Sequence, residues 1–211
     1  MVKIIWLAVG LVFVLFGGYW ILSMSSVDVA TSPTATTIAQ SKTEEPVNSN
    51  KKIMHAILHT NKGDVTIEFF DADAPNTVAN FIKLAGAGFY NGTKFHRVIK
   101  SFMIQGGDPL SKDDSMSARW GTGGPGYSFA DEIRANNHNT VGTISMANSG
   151  ANTNGSQFFI NVANNNFLDT KHTTFGKVTA GLDVVSVIEN TPTGANDRPL
   201  EAMVINSITL E

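Results

Sequence analysis

The chain has 211 residues, no cysteine, and a formal net charge of −3 from 15 basic and 18 acidic side chains. This length allows one ordinary domain plus an appendage. The lack of cysteine excludes disulfides, thiolate metal sites and lipid-bearing cysteines. The slightly acidic balance argues against a nucleic-acid partner, which usually requires a basic face.

The first segment has the composition of a membrane-spanning helix. From Ile4 to Leu22 the chain carries no charge, and as a helix this run is roughly 28 Å long, close to the hydrocarbon thickness of a bilayer. Trp6, Tyr19 and Trp20 stand near its two ends, where aromatic rings favour the membrane interface. We expect an uncleaved transmembrane anchor over residues 1–23. A cleaved secretory signal is the alternative, although the apolar region of a signal is normally shorter.

Charge around this segment predicts its orientation. Lys3 is the only basic residue before Lys42, and the positive-inside rule then places the N-terminus in the cytoplasm. We therefore expect a single-pass protein of the cell membrane whose remaining chain is extracytoplasmic. Residues 24–52 are rich in Ser, Thr, Ala and Asn. Such a composition cannot bury enough apolar surface to offset its ordering entropy, so we expect a flexible linker.

The folded domain is predicted to cover residues 53–211 and to begin with a hairpin and a helix. Apolar and polar residues alternate over Ile53–His59 and again over Val65–Phe70, on either side of a turn-forming segment. Asp73 and Pro75 then predict a helix start. Apolar residues at helical spacing follow as far as Ala85, and Gly86 predicts the end of the helix.

The rest of the domain is predicted to be mainly β. A long segment with little apolar patterning, Pro109–Ser128, is expected to be a loop, and loops of this length usually form functional walls or rims. Many short strands with two isolated helices predict a closed antiparallel barrel whose open ends the helices cap. The further strands are predicted at residues 95–99, 102–104, 143–147, 157–162, 173–178 and 202–210, with a second helix at 182–188.

Arg97 lies within the apolar strand predicted at 95–99. If Phe95 shares its face of the strand, a long charged guanidinium emerges from an otherwise apolar sheet face, with His96 and Val98 on the other side. An unpaired charge buried there would cost several kcal/mol. The arginine is therefore either a structural residue paired with a carboxylate or part of a functional site.

Two neighbouring phenylalanines lie in another predicted strand. Phe158 and Phe159 must point to opposite faces of it, so only one of them can face a given groove. Asn148 and Gln157 flank the loop before this strand as amides that both donate and accept. Taken singly, such apolar side chains are also typical of a core, and such amides of residues that satisfy loop backbone.

Five sequence blocks lie along the predicted domain. They are Phe-His-Arg-Val-Ile at 95–99, Phe-Met-Ile-Gln-Gly-Gly-Asp at 102–108, Ser-Met-Ala-Asn at 145–148, Asn-Thr-Asn-Gly-Ser-Gln-Phe-Phe-Ile at 152–160 and Leu-Asp-Thr-Lys-His at 168–172. In this order and spacing, the five blocks resemble the cyclophilins, the peptidyl-prolyl isomerases. The resemblance covers the region from about Ile53 to Glu211 and implies an eight-stranded barrel capped by two helices, with the active groove on its outer surface.

The resemblance also implies the roles of individual residues. Arg97 corresponds to the catalytic guanidinium, and His96 adjoins the groove. Phe167 stands where members that bind cyclosporin tightly usually have Trp, so we expect weak cyclosporin binding. Many bacterial-looking members share this Phe. The implied proline pocket is formed by Phe102, Met103, Phe159 and Leu168 and bordered by His172, and the implied peptide path by Gln105, Ala147, Asn148 and Gln157.

The chemistry of X–Pro rotation accounts for the residue types. Rotation breaks amide resonance across a barrier of about 18–20 kcal/mol, and the prolyl nitrogen becomes a hydrogen-bond acceptor in the twisted state. An Arg N–H aimed at that nitrogen stabilises the twisted state more than either planar one. We expect a monomer that acts on unfolded or proline-containing polypeptides without a metal, a cofactor or a nucleophile.

Two other functions fit the same residues. The domain could hold proline-containing segments as a chaperone or assembly module, with incidental isomerase activity. It could instead have a structural role at the cell envelope, which would leave the chain indifferent to changes in the groove. The effect of Arg97→Ala on the biological role distinguishes holding from catalysis.

Overall fold

A computed structural model of the chain describes residues 54–211. The predicted anchor at residues 1–23 and the linker at 24–52 lie outside the described residues. Within the described part, neither helix has the length and apolar character needed to cross a bilayer.

One curled antiparallel sheet contains all eight strands of the described region, in the order β3-β4-β6-β5-β7-β2-β1-β8. The predicted hairpin is confirmed, because β1 pairs with β2 from its first residue to the turn. The strands are β1 His55–Thr60, β2 Gly63–Phe69, β3 Arg97–Ile99, β4 Met103–Gly106, β5 Thr143–Met146, β6 Phe158–Asn161, β7 Thr174–Ala180 and β8 Ile205–Leu210.

The predicted closure of the barrel is present only in part. Strands β3 and β8 are the two edges of the sheet, and no ladder joins them within residues 54–211. They meet instead through the segments that precede them, where Lys94 and Val204 form an isolated bridge. The Phe95 N–H donates to the carbonyl of Met203 at 2.8 Å. Because β3 is only three residues long, the two edges of the sheet meet mainly through residues that precede the regular strands.

Two helices flank the sheet, α1 at Pro75–Gly86 and α2 at Leu182–Glu189. Helix α1 packs against β8, and α2 packs against β2, β3 and β4. The bounds of α1 match the prediction, but Asp73 is not its cap. The capping residue is Ala74, whose side chain makes no capping hydrogen bond.

A distant carboxylate takes the place of the predicted cap. Glu132 accepts hydrogen bonds from the backbone N–H groups of Asn76 at 3.1 Å and Thr77 at 2.8 Å. These N–H groups have no partner inside a helix, and a negative charge beside them is favoured by the helix dipole. The start of α1 is therefore fixed by tertiary structure.

The main core lies on the inner face of the curled sheet and is rich in aromatic rings. Phe81 of α1 stacks on Tyr90 at 5.0 Å and meets Phe158 edge-on at 5.7 Å. The Tyr90 hydroxyl is buried and donates to the carbonyl of Ser156 at 3.2 Å. Burial raises the pKa of Tyr90 well above its ordinary value, so the hydroxyl stays protonated and keeps this bond.

Strand alternation separates this core from the opposite face. Val98 and Ile104 enter the core, whereas Arg97 and Gln105 do not. The prediction that Phe95 shares a face with Arg97 is wrong, because Phe95 is 1% exposed and belongs to the core. Regular strand begins only at Arg97, so the two-residue alternation does not extend back to Phe95.

Candidate active site

Strand register brings residues from three parts of the chain into one row on the outer face. Arg97 of β3 lies opposite Gln105 of β4, and Gln105 lies opposite Phe159 of β6. Directly opposed residues on neighbouring strands point to the same side of a sheet. A guanidinium, an amide and an aromatic ring therefore stand side by side at strand spacing, about 5 Å apart from one strand to the next.

A second apolar cluster, separate from the main core, lies on this outer face. We call it the outer cluster. Its buried members are Met103, Phe159 and Leu168, and the side chains packed against it are the partly buried Ile99, Phe102 and Ala147. All four residues predicted to form the proline pocket are thus brought together, outside the core. An apolar cluster of this kind can receive a small ring with the contacts that a pyrrolidine needs.

Two rings border the outer cluster. Phe167 is 64% exposed and stacks on Phe102 with ring centroids 5.9 Å apart. His172 meets Phe159 edge-on at 5.4 Å, and its Nδ1 lies 2.9 Å from the carbonyl oxygen of Met146. These contacts fix the orientation of the histidine ring at the rim, while Phe167 remains open to solvent.

Arg97 has one hydrogen-bond partner among the described residues. Its Nε–H donates to a carboxylate oxygen of Asp197 at 3.3 Å, and the two side chains are 43% and 47% exposed. Both terminal amino groups of the guanidinium are without a partner in residues 54–211. Two explanations were open for this arginine, a structural ion pair or a functional site. Within residues 54–211 the geometry combines them, because the guanidinium is ion-paired and still has donors without a partner.

The amides of Gln105 and Gln157 form a chain of hydrogen bonds beside Arg97. Gln105 donates to the side-chain oxygen of Gln157 at 3.0 Å. Gln157 in turn donates to the carbonyls of Gly121 at 3.0 Å and Gly123 at 2.8 Å. The segment predicted as a long loop at 109–128 contains two short 3-10 helices, Pro109–Lys112 and Asp114–Arg119. The hydrogen bonds of Gln157 join its later part to the sheet.

A cavity of about 370 Å³ opens between these amides and the loop. We call it the amide cavity. Its lining includes Gln105, Ala147, Asn148 and Gln157, which are the four residues predicted for the peptide path. Asn148 is partly engaged by backbone, because its Nδ2 donates to the carbonyl of Lys171 at 2.9 Å. The remaining polar lining can still meet the backbone groups of an extended peptide.

His96 is buried, with 5% exposure, and contributes to the lining of a cavity beside Arg97. Neither of its ring nitrogens has a hydrogen-bond partner among the described residues. Burial lowers the pKa of His96, and the nearby Asp108 carboxylate opposes this only in part. The ring is therefore neutral at pH 7. Within residues 54–211, no group of three or more His, Asp or Glu side chains is arranged to hold a metal ion.

The buried carboxylate of Asp108 closes the base of the long loop. It accepts hydrogen bonds from the backbone N–H groups of Leu110 at 2.7 Å, Gly121 at 2.5 Å and Gly123 at 3.3 Å. The start of the loop and its segment at 121–123 are thus tied to one side chain. A left-handed turn at Gly107, with φ +83°, leads into this residue, and a Cβ there would press on the backbone of Ser156.

Sequence reasoning missed the residues on the far side of Arg97. Asp197, its partner, lies 100 positions away along the chain, and no local pattern connects the two. A second cavity of about 420 Å³, the arginine cavity, is lined by Arg97 and Gln105 together with Trp120, Asp197 and Arg198. The ring of Trp120 was also missed, since it lies in a segment without periodicity.

Comparison with known proteins agrees with this arrangement. The sequence profile of the family described as cyclophilin-type peptidyl-prolyl cis-trans isomerases matches residues 55–210. The chain belongs to this family. The cyclophilin domain is therefore a peptidyl-prolyl cis-trans isomerase, with a fold that is mainly β and carries two helices.

Relatives from several kingdoms share the domain. A peptidyl-prolyl cis-trans isomerase of Arabidopsis thaliana is 47% identical over 158 residues, covering 74% of this chain and 96% of that protein. Isomerase B of Streptomyces anulatus is 45% identical, covering 75% of this chain and 97% of its own length. A crystal structure of a Cryptosporidium parvum cyclophilin-type isomerase is 34% identical with a TM-score of 0.69, covering 76% and 98% of the two chains. That protein was also crystallised in the presence of the dipeptide Ala-Pro.

Proposed function

We propose that Arg97 catalyses rotation of X–Pro bonds in unfolded polypeptides bound on the outer face of the cyclophilin domain. One observation carries this proposal. The guanidinium stands in the same row as Gln105 and Phe159, and its terminal amino groups have no partner among residues 54–211. A donor without a partner at the edge of an apolar cluster is available to the nitrogen of a proline that enters the cluster.

The proline ring would occupy the outer cluster. Its walls, Met103, Phe159 and Leu168, are apolar and already packed together, so little ordering is needed when a ring binds. Residues before the proline would extend into the amide cavity, where Gln105 and Asn148 bond peptide groups. One side of the peptide is then held while the other side turns.

Catalysis would follow from a difference between two states of the substrate. In either planar state the prolyl lone pair is delocalised, and the nitrogen is a poor acceptor. In the twisted state the lone pair is localised, and an Arg97 N–H bonds it more strongly. Loss of one such preorganised donor typically slows a reaction by roughly 10²–10³-fold. No covalent intermediate is required in this scheme.

The first test compares isomerisation by the full-length protein and its Arg97 variants. We expect Arg97→Ala to lose roughly 10²-fold in kcat/KM, or about 2.7 kcal/mol. Arg97→Lys should recover only part of this, because an ammonium on a flexible stem lacks the rigid fork of a guanidinium. The matched control is Arg134→Ala, whose guanidinium donates to the carbonyl of Asp73, away from the site. A folded Arg97→Ala protein with wild-type activity would show that the mechanism is wrong.

We further propose that the chain is a membrane-anchored member of bacterial type, divided into an anchor (1–23), a linker (24–52) and the isomerase domain (53–211). The charge-free run Ile4–Leu22 after Lys3 supports a single span with a cytoplasmic N-terminus. The domain would then meet newly translocated, unfolded chains, in which prolyl isomerisation takes tens of seconds or longer without a catalyst.

Limited proteolysis tests this placement. Protease added to cells whose outer envelope has been opened should cut within residues 24–52, release the domain and leave a short membrane-bound stub. Protection of the domain until the membrane is dissolved would reverse the proposed topology. A mature N-terminus beyond Leu22 would instead identify the first segment as a cleaved signal.

A further inference from the structure

The turn at Ala195–Asp197, between α2 and β8, presents a carboxylate to Arg97. Asp197 accepts a hydrogen bond from the Nε–H of this arginine at 3.3 Å. It is the partner of the guanidinium among the described residues. Because the bond is made by Nε, it restrains the orientation of the guanidinium plane. Both terminal amino groups remain available to other acceptors.

The backbone that presents this carboxylate is strained. Asn196 has φ 61° and Asp197 has φ 57°, so two successive non-glycine residues adopt left-handed conformations. L-residues rarely adopt this conformation, and it persists only where surrounding contacts hold it. Backbone strain of this kind clusters at functional sites.

The next residue anchors the turn. Arg198 donates from Nη2 to the carbonyl of Ser117 at 2.6 Å, and its guanidinium lies 4.6 Å from the centroid of the Trp120 ring. The ammonium of Lys94 also lies over this ring, 4.8 Å from its centroid, so that one indole is contacted by two cations. The turn, the long loop and the segment before β3 are therefore connected around Trp120.

We propose that Asp197 is a positioning residue, which holds the Arg97 guanidinium in the orientation that isomerisation requires. This inference rests on the proposed role of Arg97 in catalysis. A pair with both side chains nearly half-exposed contributes little to stability, because solvent screens it. Orientation matters far more to catalysis, since displacement of a reacting group by about 1 Å can cost about 10²-fold in rate.

The test is a double-mutant cycle in the full-length protein. We expect Asp197→Ala to lower kcat roughly three- to tenfold with KM nearly unchanged, because a mobile guanidinium still permits binding. Asp197→Asn keeps an oxygen that can accept the Nε–H bond and should recover most of the loss. In an Arg97→Ala background, Asp197→Ala should cause no further loss, since nothing remains to be positioned.

Control and contradicting results separate this inference from the proposed mechanism. Glu201→Ala removes another exposed carboxylate nearby in sequence, which pairs with Lys62, and should leave activity unchanged. Equal losses from Asp197→Ala in the wild-type and Arg97→Ala backgrounds would show a general structural effect and overturn the positioning role. A rise in kcat would overturn it too, because Asp197 would then act only by weakening the positive charge. If Arg97→Ala itself were fully active, the catalytic mechanism would fail first, and the positioning role with it.

Discussion

Phe158 and Phe159 are neighbours in β6, yet their side chains belong to different clusters. Phe158 is fully buried in the main core, where it contacts Phe81 and Tyr90 edge-on. Phe159 is 4% exposed and packs in the outer cluster with Met103 and Leu168. One strand therefore contributes to the main core with one face and to the outer cluster with the other.

The same substitution at these two positions should separate stability from activity. Phe158→Leu should lower the free energy of unfolding by about 1–3 kcal/mol, because it leaves a cavity in the core. It should leave kcat/KM close to wild type at temperatures where the protein is folded. Urea unfolding and an isomerisation assay on both variants measure the two effects.

Phe159→Leu is the matched variant. It should destabilise the protein less than Phe158→Leu and lower kcat/KM about tenfold, because the ring of the substrate proline loses its aromatic wall. If Phe158→Leu reduced activity more than Phe159→Leu did, the outer cluster would not be the proline pocket.

The capping of α1 by Glu132 predicts that changes at this residue lower the stability of the protein. Glu132→Ala should lower the free energy of unfolding by about 1–2 kcal/mol, because the N–H groups of Asn76 and Thr77 lose their acceptor. Glu132→Gln should cost less, since an amide oxygen can still accept one bond. Chemical denaturation measures both, with Glu201→Ala as the exposed-carboxylate control. Equal stability of Glu132→Ala and the control would contradict the assigned cap.

His96 predicts a loss of stability in mild acid. Burial lowers its pKa in the folded protein, with partial opposition from Asp108. The unfolded chain therefore binds the proton more readily, and stability falls as pH drops below the ordinary histidine pKa of about 6.5. We expect wild type to lose more unfolding free energy than His96→Gln between about pH 7.5 and about pH 5.5. The other histidines are common to both proteins, so the same loss in both would assign the effect elsewhere.

Phe167 predicts the response to cyclosporin. Its ring stacks on Phe102 but offers no N–H donor, unlike the Trp that tight-binding family members usually have there. Phe167→Trp should tighten cyclosporin binding by about 1–3 kcal/mol, the cost of leaving a buried acceptor unpaired. Peptide turnover should change much less, because the outer cluster stays intact. Isothermal titration of the two proteins gives the comparison, and unchanged affinity would argue against the missing donor.

The local sequence pattern was sufficient to predict features that lie within a single strand or helix. The division of Phe158 and Phe159 between two faces follows from the two-residue repeat of a strand and is confirmed. The bounds of α1 follow from Pro75 and Gly86 in the same way. The two-residue pattern assigned Phe95 to the wrong face. The backbone N–H of Phe95 donates to the carbonyl of Met203 before the regular strand begins, so the alternation does not include this residue.

Tertiary contacts account for the other differences. Asp73 is a residue type that often caps helices, but it is Glu132 that accepts the hydrogen bonds of the first N–H groups of α1. Glu132 lies 55 positions beyond Thr77 in the chain. Asp197 reaches Arg97 across 100 positions through a strained turn. Neither partner has a sequence signal of its own, because the contact exists only once the sheet has curled. The proposed proline pocket was inferred from separate motifs by resemblance, since no single stretch of the chain contains all of its residues.

The most direct test of the account is the rate of cis/trans exchange of a peptide saturating the enzyme, measured by NMR exchange spectroscopy for wild type and Arg97→Ala. Saturation separates rotation from binding, and titration of the same peptide gives Kd. We expect Arg97→Ala to bind with a Kd within about threefold of wild type and to exchange the bound peptide at least roughly 10²-fold more slowly. Equal exchange rates in the two folded proteins, or a slower rate explained entirely by weaker binding, would contradict transition-state stabilisation by Arg97.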